Sequence, residues 1–189
     1  MRAMQPPAIT RRRRPFLAPF WVMWVLFLVA VAVAIGVYRS ATTTTVVLVR
    51  HAEKELVTIN DPPLAAAGER RAERLAQMFG DARGVGRIEA IYVSDARRSQ
   101  QTAAPLAARL AVRPIVLPAS TDASTLASRV LREQRGGRAM IVGHSDTVPD
   151  LVTELSGQSV PPMRDDEYDN VYIVTVPTFG KASVLRLKY

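Results

Sequence analysis

The sequence predicts an α/β fold, a three-layer sandwich with a largely parallel central sheet, preceded by one N-terminal transmembrane helix. Three observations predict it. Residues 15–38 contain no charged side chain. Beyond residue 40, short apolar runs alternate with longer stretches of helix-forming composition, the pattern of strands joined by crossover helices. The charges are also divided: six of the 25 basic residues (Arg2, Arg11, Arg12, Arg13, Arg14 and Arg39) lie in the first 40 positions, and all 17 acidic residues come after them.

Taken in order, residues 1–15 form a basic tail and residues 16–38 an anchor. At 1.5 Å per residue, Phe16 to Val37 spans roughly 33 Å, enough for a bilayer core. Arginine before the run keeps the N-terminus in the cytoplasm and exports the C-terminal domain. A cleaved signal peptide has a shorter core and a small-residue cleavage site, so the run reads as an uncleaved anchor. Arg13-Arg14-Pro15-Phe16-Leu17 also resembles a twin-arginine export signal, which leads to the same compartment. The expected location is a single-pass inner-membrane protein with a periplasmic or extracellular domain. Residues 39–44 read as a polar linker.

Residues 45–189 read as one domain. Val46–Val49 is a short buried strand. Ala65–Phe79 is a helix that Gly80 can end. Ile88–Val93 is a strand, Ser99–Leu110 a helix and Pro114–Leu117 a strand. Ser120, Thr121 and Asp122 offer caps for a helix running to about Gln134. Ala139–Val142 is a strand and Val148–Leu155 a helix. Val171–Val176 and Ser183–Lys188 are the last two strands.

The net charge of +8 invites a nucleic-acid reading, but the part beyond residue 40 carries 19 basic and 17 acidic residues, close to neutral. Both tryptophans, Trp21 and Trp24, lie in the apolar run, which leaves the domain few rings to stack on bases. Nucleic-acid binding is not expected. The chain has no cysteine, so disulfides, thiolate catalysis and Cys-ligated zinc are excluded.

Chemistry concentrates in the two histidines. His51 closes Val46-Val47-Leu48-Val49-Arg50, and His144 closes Met140-Ile141-Val142-Gly143. Ligand sites of open α/β sheets lie outside the carboxyl ends of the strands, so both can meet at one edge. A third strand end adds Ser94-Asp95-Ala96-Arg97-Arg98. Arginine offers a planar, permanent charge that matches phosphate oxygens. Neutral imidazole is a nucleophile near pH 7. In-line phosphoryl transfer needs positioning and charge compensation, which this set supplies without a metal.

These residues resemble a family. Leu48-Val49-Arg50-His51-Ala52-Glu53 is similar to the Arg-His-Gly signature of the histidine phosphatase superfamily, in its phosphoglycerate-mutase-like branch. The resemblance continues through Asp61-Pro62-Pro63-Leu64 with Gly68, through Ser94–Ala103, and ends at Val142-Gly143-His144-Ser145. The short domain has the minimal, SixA-type size. The resemblance implies that His51 is the nucleophile and forms a phosphohistidine, that Arg50 and Arg98 bind phosphate, and that His144 completes the catalytic pocket. Arg98, four residues before Thr102, matches the second arginine; Arg97 does not. The motif's glycine is Ala52 here. Val112–Ser120, where a family glutamate often serves as general acid, has no carboxylate. Asp146, Glu53 and Asp122 are the candidate acids.

The expected function is a membrane-anchored, extracytoplasmic phosphatase of phosphomonoesters or phosphoramidates, with no cofactor and no metal. A calcium site in the acidic stretch Asp165-Asp166-Glu167 with Asp169 is not expected, since EF-hand spacing is lacking. The expected partners are a small phosphorylated substrate or a protruding envelope phosphoester, and the bilayer through residues 16–38. A non-catalytic phosphate-binding module is the alternative. A phosphoglycerate-type mutase is a weaker one.

Overall fold

A computed structural model describes residues 20–41, 43–57, 60–81 and 86–189. The expected basic tail, and residues 16–19 of the expected anchor, lie outside the described residues. The chain divides between Val37 and Tyr38 into two units.

The N-terminal unit contains most of α1 (Phe20–Ala41), whose sequence lacks any acidic residue in the first turn. Phe20, Trp24 and Phe27 form an edge-to-face ladder along one side, with ring centroids 6.1 and 6.0 Å apart. Phe20–Tyr38 is long and apolar enough to cross a bilayer, and none of this span is buried within the protein; an N-terminal signal sequence meets the same test. The helix continues through the first residues expected to be linker, and β1 begins at Thr43. Thr43 and Thr44, expected in the linker, are strand residues that pair with Pro177 and Val176. Their β-branched side chains suit a pleated strand.

The remaining elements are β1 (Thr43–Arg50), α2 (Ala66–Gly80), β2 (Ala90–Ser94), α3 (Arg97–Leu110), β3 (Ile115–Leu117), α4 (Ala123–Glu133), β4 (Arg138–Gly143), α5 (Thr147–Ser156), β5 (Asn170–Pro177) and β6 (Ser183–Lys188). The six strands form one sheet in the order β3-β2-β4-β1-β5-β6. The first four are mutually parallel, and β5 and β6 extend the sheet antiparallel. The predicted sandwich is present, with its sheet mixed at one edge. After α5, residues 157–169 return the chain to the carboxyl end of β1, where Val171 pairs with Val49. Parallel pairing would have required β5 to start at the other end.

β1 is buried on both faces, which is why Val46–Val49 lacks alternation. Val47 and Val49 join Leu75 and Phe79 of α2 and Leu106 and Leu110 of α3 in one core. Val46 and Leu48 join Val130 of α4 and Val148, Leu151 and Val152 of α5 in the other. Helices α2 and α3 therefore cover one face, and α4 and α5 the other. The connections leaving the neighbouring parallel strands β1 and β4 go to opposite faces. That switch point opens a crevice at the strands' carboxyl ends.

Candidate active site

Strand register brings the motif residues together. Arg50 pairs with Gly143, and Val93 of β2 pairs with Val142. One residue further on, the His51 N–H donates to the Gly143 carbonyl at 2.9 Å, which sets His51 beside His144. Their ring centroids are 5.3 Å apart. The His144 Nε2 lies 3.0 Å from Ser94 Oγ at the end of β2.

His51 is 4 % exposed. Its Nδ1 is 2.8 Å from the Ala52 carbonyl oxygen. A carbonyl can only accept, so Nδ1 carries the proton and Nε2 keeps its lone pair. Burial lowers the His51 pKa to about 4; the Ala52 hydrogen bond opposes the shift, while Arg98, His144 and Arg50 reinforce it. Burial and Arg98 also lower the His144 pKa.

Arg50 is buried at the end of β1. Its Nη1 donates to the carbonyls of Arg164, Asp165 and Glu167, at 2.8, 3.1 and 3.1 Å. Its guanidinium stacks on Tyr168, 4.2 Å from the ring centroid. Arg98 sits in the first turn of α3. Thr102, fully buried on the same helix, accepts the Ala52 N–H at 2.9 Å and donates to the Arg98 carbonyl at 2.7 Å. One hydroxyl thus links the Arg98 turn to the residue after His51. The Nε atoms of both Arg50 and Arg98 are buried without a hydrogen-bond partner among the described residues. Unpaired buried donors are costly, and an oxyanion would satisfy them.

Arg50, His51, Arg98 and His144 line one cavity of about 440 Å³, together with Lys54, Asp146 and Asp165. Arg97 does not line it; its side chain borders a separate groove. The three candidate acids separate. Asp146 reaches the cavity from the N-cap of α5, where its Oδ1 accepts the Thr147 N–H at 2.8 Å. Glu53 does not line it: Arg71 holds its carboxylate through Nε and Nη2, and although burial opposes this, the pairing lowers its pKa. Asp122 caps α4 and borders a different cavity, its pKa lowered to about 2 chiefly by the Thr125 N–H. Of the three expected acids, only Asp146 lines the His51 cavity; Glu53 pairs with Arg71 and Asp122 borders another cavity. Among the described residues, no cluster of three or more potential metal ligands occurs.

Ala52, in place of the motif's glycine, is fully buried against Leu64 and Ala72. Gly68 has no such latitude, since a Cβ there would collide with the Glu53 carbonyl. Lys54 and Tyr168 are additions that the sequence does not single out, and Asp165, read there only as part of an acidic stretch, joins them at the site. Lys54 comes three residues after His51 and carries no spacing signal of its own. Asp165 and Tyr168 reach the site because residues 157–169 return to the carboxyl edge, a path no local pattern announces.

Residues 46–122 match the sequence model of the histidine phosphatase superfamily, branch 1. Arg50, His51 and Arg98 lie within the matched residues, whereas His144 lies beyond them. No curated protein matches. Among solved structures, the fold is similar to the protein histidine phosphatase SixA complexed with tungstate, with a TM-score of 0.64 and 22 % identity over 76 % of this chain and 96 % of that one. It is similar to a putative phosphohistidine phosphatase SixA from Nakamurella multipartitia, with a TM-score of 0.59 and 19 % identity over 77 % and 95 %. A mycobacterial glucosyl-3-phosphoglycerate phosphatase has a TM-score of 0.58 and 15 % identity over 70 % and 90 %. At these identities the likeness is one of fold.

Proposed function

We propose that this chain is a membrane-anchored, extracytoplasmic phosphatase that hydrolyses phosphomonoesters or phosphoramidates through a phosphohistidine on His51. The observation that carries this reading is His51 itself: a neutral imidazole whose Nε2 lone pair is free, in a cavity shared with two arginines that have unpaired buried Nε donors. In the proposed reaction Nε2 attacks phosphorus while the bond to the leaving atom breaks, oxygen in a phosphomonoester and nitrogen in a phosphoramidate. Arg50, Arg98 and His144 compensate the charge on the equatorial oxygens. Asp146 delivers a proton to the leaving oxygen or nitrogen, then takes one from the water that attacks the phosphohistidine. The N–P bond breaks and inorganic phosphate leaves. SixA-like neighbours support phosphohistidine as one substrate chemistry.

The apolar span Phe20–Tyr38 and the arginines before it support the anchor and its orientation. In isolated membranes, alkaline carbonate should leave the chain in the pellet. Protease added outside spheroplasts should remove residues 43–189; protection would overturn the orientation.

The catalytic test is turnover of phenyl phosphate by the full chain in detergent, with His51→Ala as control. Expected is a wild-type phosphoenzyme that is acid-labile and alkali-stable, absent in His51→Ala. Phosphate binding without turnover in the folded protein would favour the non-catalytic module instead.

A further inference from the structure

We propose that Asp61 is a positioning residue that sets the Arg98 guanidinium against His51 while capping the helix that carries it; the inference rests on the phosphatase reading above. Asp61 belongs to the segment between β1 and α2 and has no covalent proximity to α3. The N-cap position of α3 is Ala96, which has no side chain able to cap. Asp61 supplies the cap from a distance: its Oδ1 and Oδ2 both accept the Arg97 N–H, at 3.0 and 3.1 Å. The same Oδ1 lies 3.6 Å from Nη1 of the next residue, Arg98. One carboxylate thus spans the backbone of position 97 and the side chain of position 98.

Other bonds make this a fixed joint. Gln101 Oε1 accepts the Leu64 N–H at 2.8 Å, so residues 61–64 and the N-terminal part of α3 meet at two points. Thr102 ties the Arg98 carbonyl to the Ala52 N–H. These contacts fix the Arg98 backbone relative to His51. They leave its long side chain to be ordered separately, which costs conformational entropy. Asp61 holds the Nη1 end of the fork, on the far side from the unpaired Nε.

Two effects of this carboxylate oppose each other. As a bare negative charge near an anion site, it repels phosphate. As a holder of Arg98, it removes an ordering cost from binding. The Asp61 side chain is half exposed, which screens its charge, so positioning should win.

Asp61→Asn separates them in the full chain. The amide oxygen still accepts the Arg97 N–H, while the negative charge facing the Arg98 guanidinium is gone. Inorganic phosphate affinity, KM and kcat for phenyl phosphate, and Tm are the readouts. Expected is phosphate binding about three- to tenfold weaker, with KM raised by a similar factor and kcat changed less. Asp61→Ala should lower Tm further, because the cap is lost too. In an Arg98→Ala background, Asp61→Asn should change phosphate affinity by less than a factor of two. Unchanged or tighter phosphate binding by a folded Asp61→Asn protein overturns the positioning role alone. So does an undiminished effect in the Arg98→Ala background, which remains readable if the single variant is poorly stable. A wild-type chain that neither binds phosphate nor turns over phenyl phosphate overturns the phosphatase reading and this inference with it.

Discussion

At the scale of the residue, His51 carries the most distinctive physics. Its burial as a neutral ring, bonded through Nδ1 to its neighbour's carbonyl, lowers its pKa from 6.5 to about 4. An unfolded chain would bind this proton as pH falls through about 6.5; the folded chain would not until about 4. The unfolded state is therefore favoured progressively across that window, by an amount on the order of 3 kcal/mol at its acid end. Urea titrations should show His51→Gln losing less stability than wild type between pH 6.5 and 4; parallel curves would exclude His51 as the source. Asp146 gives a second residue-scale prediction. If it protonates the leaving group, Asp146→Asn should slow phenyl phosphate at least about tenfold more than 4-nitrophenyl phosphate, whose leaving group needs less protonation. Equal slowing of the two esters would remove Asp146 from that role.

At the scale of the element, the site is a meeting of strand ends and one helix turn, held by few bonds. Thr102 bridges β1 and α3 from a fully buried position. Thr102→Val conserves shape and leaves the Ala52 N–H without its acceptor, so chemical denaturation should show a loss of about 1–3 kcal/mol. Phosphate binding should weaken with it, because the Arg98 turn loses its tie to His51. Most elements are legible in the sequence. Asp122 does cap α4 through the Thr125 N–H, and Gly157 closes α5 in the left-handed conformation, φ 70°. The start of α3 is not legible, because its cap comes from Asp61, far away in the chain. Its end is also unusual: Ala111 adopts φ 54°, where glycine is the ordinary choice. Thr43 and Thr44 are polar and follow the apolar run, so they read as linker, but their β-branched side chains suit a strand and pairing with β5 makes them one.

At the scale of the whole molecule, the described residues lining the His51 cavity all fall in the C-terminal unit, Tyr38–Tyr189. A chain starting at Thr43 should fold, keep kcat/KM for phenyl phosphate within about threefold of the full chain, and lack the membrane association proposed for the full chain. A truncated protein that is folded and inactive would mean that the N-terminal segment takes part in the chemistry. The sequence by itself determined the alternation of strands and helices, the apolar N-terminal run and the strand-end residues Arg50, His51 and His144, and the family resemblance added Arg98. Those signals are local: burial on both faces writes a continuous apolar run, and chemistry placed at strand ends comes directly after such runs. Only the tertiary structure decided which carboxylate shares the cavity, how the sheet ends, and what holds Arg98. Glu53 and Asp122 differ from Asp146 in where they lie: Asp146, itself the cap of α5, lines the His51 cavity, whereas Glu53 is held by Arg71 and Asp122 caps α4 beside a different cavity. The return of residues 157–169, the Asp61 bond to α3 and the register that joins His51 to His144 all link segments distant in the chain. Local periodicity carries no record of such pairings, because they arise from the packing of strands whose order in the sheet differs from their order in sequence.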